Sequence, residues 1–197
     1  MRTYNTPNII KESSRGYDLV CIEDELLQSR EVFLTSGVDS ASMDSLIKQL
    51  MYLYREDPEK EITLYINSLG GEVQSGLAVY DFMKLIKAPI RTVCIGTAAS
   101  MGAILFLAGD RRSMMPNSRV MIHDPAPGGG SLSGMKPAAI EEKLAELKKT
   151  QKITVDIIKR TTGKTEKAVR SKTRKDSFFD AKEAVEFGLA TDIIDSL

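Results

Sequence analysis

The sequence of 197 residues predicts an α/β fold. Apolar runs of strand length alternate with segments in which apolar residues recur at helical spacing, and this strand–turn–helix unit occurs three times in succession. The turns contain Gly, Asn and Ser, which favour reversal of the chain. Because hydrophobic cores stop growing only beyond roughly 250 residues, we expect one domain that spans residues 1–197.

The three units lie in the first half of the chain, and each begins with a strand rich in β-branched or aromatic residues. The predicted strands cover residues 31–35, 62–67 and 90–95. A helix follows each strand: the first is capped by Asp39 and Ser40, and the second ends at Pro89. The third strand leads into the sequence GTAASMGA, and a helix is predicted from Ser100 to Gly109.

The second half of the chain contains a long amphipathic helix, predicted from about Pro137 to Thr162 and closed by Gly163. A strand over residues 118–123 and a glycine-rich stretch over 126–134 precede it. Its predicted apolar stripe consists of Ile140, Leu144, Leu147, Ile153, Ile157 and Ile158. Such a helix projects beyond a small domain, so a role in assembly is at least as well supported as a solvated surface helix. The last elements are a short helix after Thr165 and a helix behind the capping box Asp180–Glu183.

The charge balance disfavours nucleic acid and anionic membranes as partners. Lys plus Arg and Asp plus Glu both number 27, so the formal net charge is zero. Tryptophan is absent and aromatic residues make up 6% of the chain, which gives little support to a base-stacking surface. We therefore expect neither nucleic acid nor a membrane among the partners.

The cysteines and the start of the chain indicate a cytoplasmic protein. Cys21 and Cys94 lie in apolar stretches without metal or redox spacing, so we expect two reduced core thiols. The first residues lack an apolar signal-peptide region. The uncharged segment Thr92–Gly109 reaches the lower limit of a spanning helix, but its glycines divide it into a strand, a turn and a buried helix.

Ser100, at the start of the third helix, has two interpretations. Serine is a favoured N-cap residue, and the sequence around it is not the Gly-x-Ser-x-Gly elbow of hydrolases. A hydroxyl at a helix start also lies beside free N–H groups that would stabilise an oxyanion. From the residues alone capping is the better supported interpretation, and a nucleophile is the alternative.

His123 is the one histidine in the chain, and it ends an apolar strand at a predicted sheet rim. Ser/His chemistry would therefore have to use it as the general base. One His and two dispersed Cys supply no ligand set for a metal. Four aspartates are candidates for the carboxylate that would orient the imidazole, and residue spacing does not choose among them. Asp124 is disfavoured because it directly follows His123 and successive strand side chains point to opposite faces of the sheet. The four are Asp110, Asp124, Asp176 and Asp180.

Two glycine-containing turns have both an ordinary and a functional interpretation. The turn Asn67–Gly71 is either a plain βα connection or a source of a second oxyanion donor. The sequence Thr162–Thr165 ends like a phosphate-binding loop, but Ile158 stands where that motif needs Gly. We therefore expect a helix cap there and no ATP hydrolysis by this chain.

Taken together, these segments resemble the ClpP family, the proteolytic subunits of Clp proteases. The resemblance covers roughly residues 9–194, and several separate motifs occur in the family's order. Its most specific stretches are Leu64–Gly71, Gly96–Ala103, Pro116–His123 and Glu183–Leu189. The resemblance implies the ββα spiral shared by ClpP and crotonases, with residues 1–20 as an N-terminal axial segment and 126–162 as a protruding handle region.

The resemblance also implies roles for single residues. Ser100 matches the family's nucleophile, His123 its general base and Asp176 its third triad member. Gly71 and Met101 match the residues whose backbone N–H groups form the oxyanion hole. The substrate-binding residues implied are Gly70, Gly129, Gly130 and Ser131.

The implied protein is a serine endopeptidase that works inside two stacked heptameric rings. An AAA+ unfoldase would deliver unfolded polypeptides and hydrolyse ATP, so no cofactor is expected in this chain. One alternative is a paralogue that serves mainly as a structural ring subunit and is active only in mixed rings with a second ClpP. A crotonase-type acyl-CoA enzyme ranks low, because it would not need Ser100, His123 and Asp176 together.

The chain departs from the family pattern at several positions. Leu69 stands where the family usually has Pro, and Asp124 stands where it usually has Gln. Arg174-Lys175 replaces the Asp-Arg pair that commonly links ring stacking to triad alignment. The residues 128–133, GGGSLS, also differ from the usual substrate-pairing sequence.

Overall fold

A computed structural model of the chain describes residues 6–14, 16–126 and 134–196. Within these ranges it confirms the predicted α/β class, with nine strands and seven helices. The strands are β1 Asn8–Ser13, β2 Gly16–Cys21, β3 Glu31–Leu34, β4 Ile62–Ser68, β5 Ile90–Ala99, β6 Arg111–Met114, β7 Arg119–Ile122, β8 Ser177–Phe179 and β9 Asp192–Ile193. The helices are α1 Ile22–Gln28, α2 Ser40–Glu56, α3 Val73–Leu85, α4 Met101–Phe106, α5 Pro137–Thr162, α6 Glu166–Thr173 and α7 Ala181–Phe187.

The central sheet has seven strands, and β5 lies at its branch point. Its parallel path runs β3-β4-β5-β6-β9. The first half of β5, Arg91–Cys94, pairs with β6, whereas Thr97–Ala99 pair with β7. Strand β7 in turn pairs antiparallel with β8. The two halves of β5 therefore have different neighbouring strands on the same side of the sheet path, β6 and then β7.

Strand β5 is longer and α4 shorter than the sequence predicts. The strand extends through Ala99 rather than ending at residue 95, and the helix ends at Phe106 rather than near Gly109. Pairing on both sides explains the extension, because Ala98 lies opposite Ser68 of β4 and Val120 of β7. The hairpin β1–β2, helix α1 and the short strands β6, β8 and β9 were not predicted from the residues.

Helix α2 forms as its sequence predicts. Asp39 accepts a hydrogen bond from the N–H of Ser42 at 2.8 Å, and the Ser42 hydroxyl accepts one from the N–H of Asp39 at 3.0 Å, which completes a capping box. Its apolar stripe is buried at Met43, Leu46, Leu50 and Leu53. Helix α3 ends at Leu85, four residues before the predicted stop at Pro89, and the Leu85 side chain is 82% exposed.

Helix α5 has the predicted bounds but only part of the predicted apolar contacts. Gly163 closes it in the left-handed conformation, with φ 68°, so the predicted helix cap at this position is confirmed. The buried residues of the helix lie near its C-terminal end: Thr154, Val155, Ile157 and Ile158. Two residues of the predicted stripe, Leu144 and Ile153, are 48% and 44% exposed. In the part of the chain that the structure describes, the N-terminal part of this stripe is therefore only partly covered.

The two cysteines are free, but only one is a core residue. Cys94 is fully buried in β5, and burial raises the pKa of its thiol. Cys21 is partly exposed, and its Sγ lies 2.6 Å from a carboxylate oxygen of Glu23, so the expectation of two core thiols is wrong for Cys21. In the ranges that the structure covers, no helix is long and apolar enough to cross a membrane.

A buried arginine holds the end of α2. Arg30 is 5% exposed and has φ 65°, and its guanidinium donates hydrogen bonds to four backbone carbonyls. The acceptors are the carbonyls of Leu53, Asp57, Lys60 and Glu61, at 2.9–3.1 Å. The Leu53 carbonyl also accepts from the N–H of Asp57 at 3.1 Å, whereas Asp57, Lys60 and Glu61 lie beyond the end of α2, so Arg30 joins the last turn of the helix to the loop that follows it.

We predict that Arg30→Met lowers the free energy of unfolding by about 3 kcal/mol, because it removes the donor to the part-buried carbonyls of Asp57, Lys60 and Glu61 and breaks the link between α2 and the loop after it. Urea unfolding followed by circular dichroism, at one protein concentration, measures this change. Arg55→Met is the matched control, since Arg55 is an exposed residue in the last turn of the same helix. Equal midpoints for the two variants would refute the role given to Arg30.

Candidate active site

Ser100 occupies a strained position between β5 and α4. Its φ of 53° lies in the left-handed region that non-glycine residues rarely adopt, and such residues cost roughly 1–3 kcal/mol. Its N–H donates to the carbonyl of Met121 at 3.0 Å, and its carbonyl accepts from Ala103 and Ile104. The backbone of Ser100 thus fastens β5 to β7 and begins α4. A sharp strand-to-helix turn of this kind exposes a nucleophile in α/β hydrolases.

The Ser100 hydroxyl does not cap α4. The side chain makes no capping hydrogen bond, and Oγ lies 2.9 Å from Nε2 of His123. The interpretation of this hydroxyl as a cap is therefore wrong, although the residue does stand at the helix start. The imidazole follows directly after β7, and the side chain of His123 is 25% exposed.

Asp176 lies on the other side of the imidazole. Its Oδ1 is 3.4 Å from Nδ1 of His123, and the carboxylate side chain is 64% exposed. The register of β7 and β8 explains the approach: Ile122 pairs with Ser177, so the residues one step beyond, His123 and Asp176, lie opposite each other. The distance exceeds the 2.7–2.9 Å of a charge-assisted hydrogen bond.

The other three candidate aspartates have different partners. Asp110 accepts from the N–H of Ile90 at 3.0 Å, and Asp180 caps α7. Asp124 accepts from Nε2 of Gln151 at 2.7 Å. Of the four carboxylates left open by the residues, Asp176 is the one that the described structure pairs with His123.

Gly70 and Gly71 bring a turn of backbone against the Ser100 region. A methyl group on Gly70 would lie 2.8 Å from the nitrogen of Met101 and 2.6 Å from the carbonyl oxygen of Ala99. Gly71 forms a parallel bridge with Val38, in which the N–H of Val38 donates to Gly70 and the N–H of Glu72 donates to Val38.

In that bridge pattern the N–H of Gly71 is not used. Met101 is the first residue of α4, so its N–H has no partner within the helix. For neither N–H does the described part of the chain provide an acceptor. Two donors therefore flank the turn that carries the Ser100 hydroxyl.

A small apolar cavity adjoins Ser100 and His123. Its volume is about 20 Å³, and its apolar lining includes Val73, Ile104 and Ile158. Larger concavities lie elsewhere, and one of about 810 Å³ lies between α3 and α5. Cavity volume alone would therefore not identify this site. The sequence did not assign Val73 or Ile158 to it either, because both residues show only the periodicity of an apolar helix face.

Some residues that the sequence assigns to the site have no described structure. The substrate-binding predictions for Gly129, Gly130 and Ser131 lie outside the described residues. The sequence named the turn that contains Asn67 but not its side-chain contact: Asn67 Oδ1 accepts from the N–H of Thr97 at 3.0 Å, where the β4–β5 register shifts. Within the described ranges no three His, Cys, Asp or Glu side chains are grouped as metal ligands.

The site has the arrangement of Ser-His-Asp hydrolases. The Ser100 hydroxyl stands on a strained turn within hydrogen-bond distance of the His123 imidazole, and the Asp176 carboxylate lies on the opposite side of that ring. A family model described as Clp protease matches residues 13–197. The ATP-dependent Clp protease proteolytic subunit of Bdellovibrio bacteriovorus is 40% identical over 192 residues, which cover 96% of this chain and 90% of the relative. The chain therefore belongs to the Clp protease family, whose members are serine peptidases.

Membership confirms the resemblance, the ClpP-type fold and the prediction of a protease subunit. It argues against the crotonase-type acyl-CoA alternative. The family also implies a ring assembly that works with a Clp ATPase in general.

We predict that Gly70→Ala lowers kcat for a peptide substrate by about 10²-fold, because the added methyl displaces the Ser100–Met101 backbone. The φ of 88° at Gly70 adds strain. Gly37→Ala is the matched control, since its methyl would meet only the Gly70 oxygen, at an ordinary 3.7 Å. Equal kcat values for the two variants would contradict this role of Gly70.

Proposed function

We propose that this chain is the serine endopeptidase subunit of a Clp-type compartmentalised protease, with Ser100, His123 and Asp176 as its catalytic triad. The observation that carries the proposal is the 2.9 Å contact between Ser100 Oγ and His123 Nε2 at a strained strand-to-helix turn. Stored strain of this kind is common at functional sites. The substrates are unfolded polypeptides delivered by an AAA+ unfoldase.

The reaction uses the chain's own residues. His123 Nε2 takes the proton of Ser100 Oγ, which attacks the scissile carbonyl carbon, and the protonated imidazole then gives that proton to the leaving amine. Asp176 holds the imidazole through Nδ1. The N–H groups of Gly71 and Met101 stabilise the oxyanion, and loss of one such donor typically costs about 10²–10³ in rate.

Substrate binding relies on extended backbone beside Gly70, and the predicted partners Gly129, Gly130 and Ser131 would pair with it. Recognition of backbone rather than side chains supports broad specificity. Leu69, which precedes Gly70, is 77% exposed and is free to contact a substrate side chain.

Assembly follows from α5. In the proposed assembly two heptameric rings stack through residues 137–162, which would cover the exposed apolar side chains Leu144 and Ile153. Residues 1–20 would lie at the axial pore. ATP is consumed by the partner unfoldase, so this chain needs no cofactor.

A second candidate is a ring subunit that is active only together with a second ClpP paralogue. The observation that favours it is the weak restraint on Asp176: its side chain is 64% exposed, and its Oδ1 lies 3.4 Å from Nδ1 of His123. Arg174 and Lys175 precede this aspartate in place of the family's usual residues. Contacts from a different subunit would then be needed to bring the carboxylate to hydrogen-bond distance.

A serine-reactive phosphonate separates the two candidates. We predict that the isolated protein is phosphonylated at Ser100, located by peptide mass spectrometry, because the imidazole already lies within reach of Oγ. Ser100→Ala is the control for other serines. Labelling that occurs only after a second ClpP is added would overturn the first candidate and support the second.

We predict that Asp176→Asn lowers kcat for a peptide substrate by at least about 10²-fold with little change in KM, since the amide cannot stabilise the imidazolium. Steady-state hydrolysis of a fluorogenic peptide measures both constants. Asp180→Asn is the control, because the Asp180 carboxylate accepts from the N–H of Glu183 as the cap of α7. A smaller effect at Asp176 than at Asp180 would remove Asp176 from the triad.

A further inference from the structure

Asp124, the residue after His123, has an unusual environment for a carboxylate. Its Oδ2 accepts a hydrogen bond from Nε2 of Gln151 at 2.7 Å. Its Oδ1 is buried and has no hydrogen-bond partner within the described residues. Its backbone N–H donates to the carbonyl of Thr173 at 2.6 Å. Among the described side chains, Gln151 is therefore the donor that supports a carboxylate partly withdrawn from water.

These bonds join three elements at one point. Asp124 continues from β7 and His123, Thr173 is the last residue of α6, and Gln151 belongs to α5. Asp176 follows Thr173 by three residues. The backbone segments that carry His123 and Asp176 are thus joined at Asp124.

Gln151 stands where α5 reaches the body of the subunit. It is half-buried, and the buried residues Thr154, Val155, Ile157 and Ile158 follow it, whereas most residues before it are exposed. Ile158 and Thr154 also line the cavity beside Ser100. A displacement of this part of α5 would remove the Gln151 hydrogen bond to Asp124.

Loss of that donor has a direct physical consequence. An uncompensated buried charge is costly, so the Asp124 side chain would turn toward water. That movement would pull the Asp124 N–H away from Thr173 and shift the adjacent imidazole of His123. A misplacement of about 1 Å in a catalytic group can cost about 10²-fold in rate.

We propose that Asp124 and Gln151 are a pair of positioning residues that align His123 with Asp176 and make this alignment depend on the placement of α5. The proposal rests on the proposed function for its kinetic readout. The pair acts through backbone and does not touch the substrate.

Gln151→Glu tests the pair, because it replaces the donor by a second carboxylate that faces Asp124. We expect kcat to fall by about 10²-fold with KM nearly unchanged. Adding Asp124→Asn supplies an amide donor to Glu at position 151 and should restore kcat to near the wild-type value. Lys152→Gln is the control, since it changes the net charge by the same amount at a neighbouring exposed residue.

A spectroscopic readout makes the test independent of turnover. Because the chain has one histidine, protein labelled with ¹³Cε1-histidine gives an NMR signal from His123 alone. We expect Gln151→Glu to displace this signal, the double variant to return it, and Lys152→Gln to leave it in place. Gln151→Ala adds no charge and should also displace the His123 signal. This variant replaces Gln151→Glu in the test if the glutamate variant does not fold.

The outcomes distinguish this inference from the proposed function. If the phosphonate does not label Ser100 of the wild-type protein, the isolated subunit is inactive and the first proposed function is refuted. The NMR signal of His123 would still decide whether Asp124 and Gln151 position the imidazole. An unmoved signal in both Gln151 variants overturns the inference. A loss in Gln151→Glu that Asp124→Asn does not repair overturns it too, since the contact would then not be the cause.

Discussion

The change of partner within β5 is the constraint on which the site depends. Its first half is bound to β6 and its second half to β7, so the end of β7 comes to lie beside Ser100. The antiparallel pairing of β7 with β8 then carries Asp176 to the far side of His123. Three side chains from separate parts of the chain meet because hydrogen bonds of the sheet fix the strand ends.

The strain at Ser100 is offset by its surroundings. All six residues of α4 are buried, and the Ser100 backbone is bonded on both sides, to Met121 and to Ala103. Such burial supplies far more than the roughly 1–3 kcal/mol that a left-handed residue costs. In this conformation the Ser100 hydroxyl makes no capping hydrogen bond to α4, and its Oγ lies within hydrogen-bond distance of His123 Nε2.

Elements with strong local signals were predictable from the sequence, and those fixed by pairing were not. The caps Asp39 and Asp180 and the periodicity of α5 identify their helices, because these signals act within a few residues. The end of β5 was missed because Gly-Thr-Ala-Ala has no strand signature and is held by its neighbours. The choice of Asp176 could not be made from residue spacing, since the β7–β8 register decides it, and the family resemblance supplied it instead.

Helix α5 contributes both to an exposed apolar surface and to the surroundings of Ser100. Within the described residues Leu144 and Ile153 are exposed, while Ile158 of the same helix lines the cavity beside Ser100. Whatever covers the exposed part in a ring therefore also restrains the part that contacts the site. The imidazole is already held at the hydroxyl, but Asp176 is more exposed and more distant. The carboxylate side of the site is thus where added restraint from neighbouring subunits would change the chemistry most.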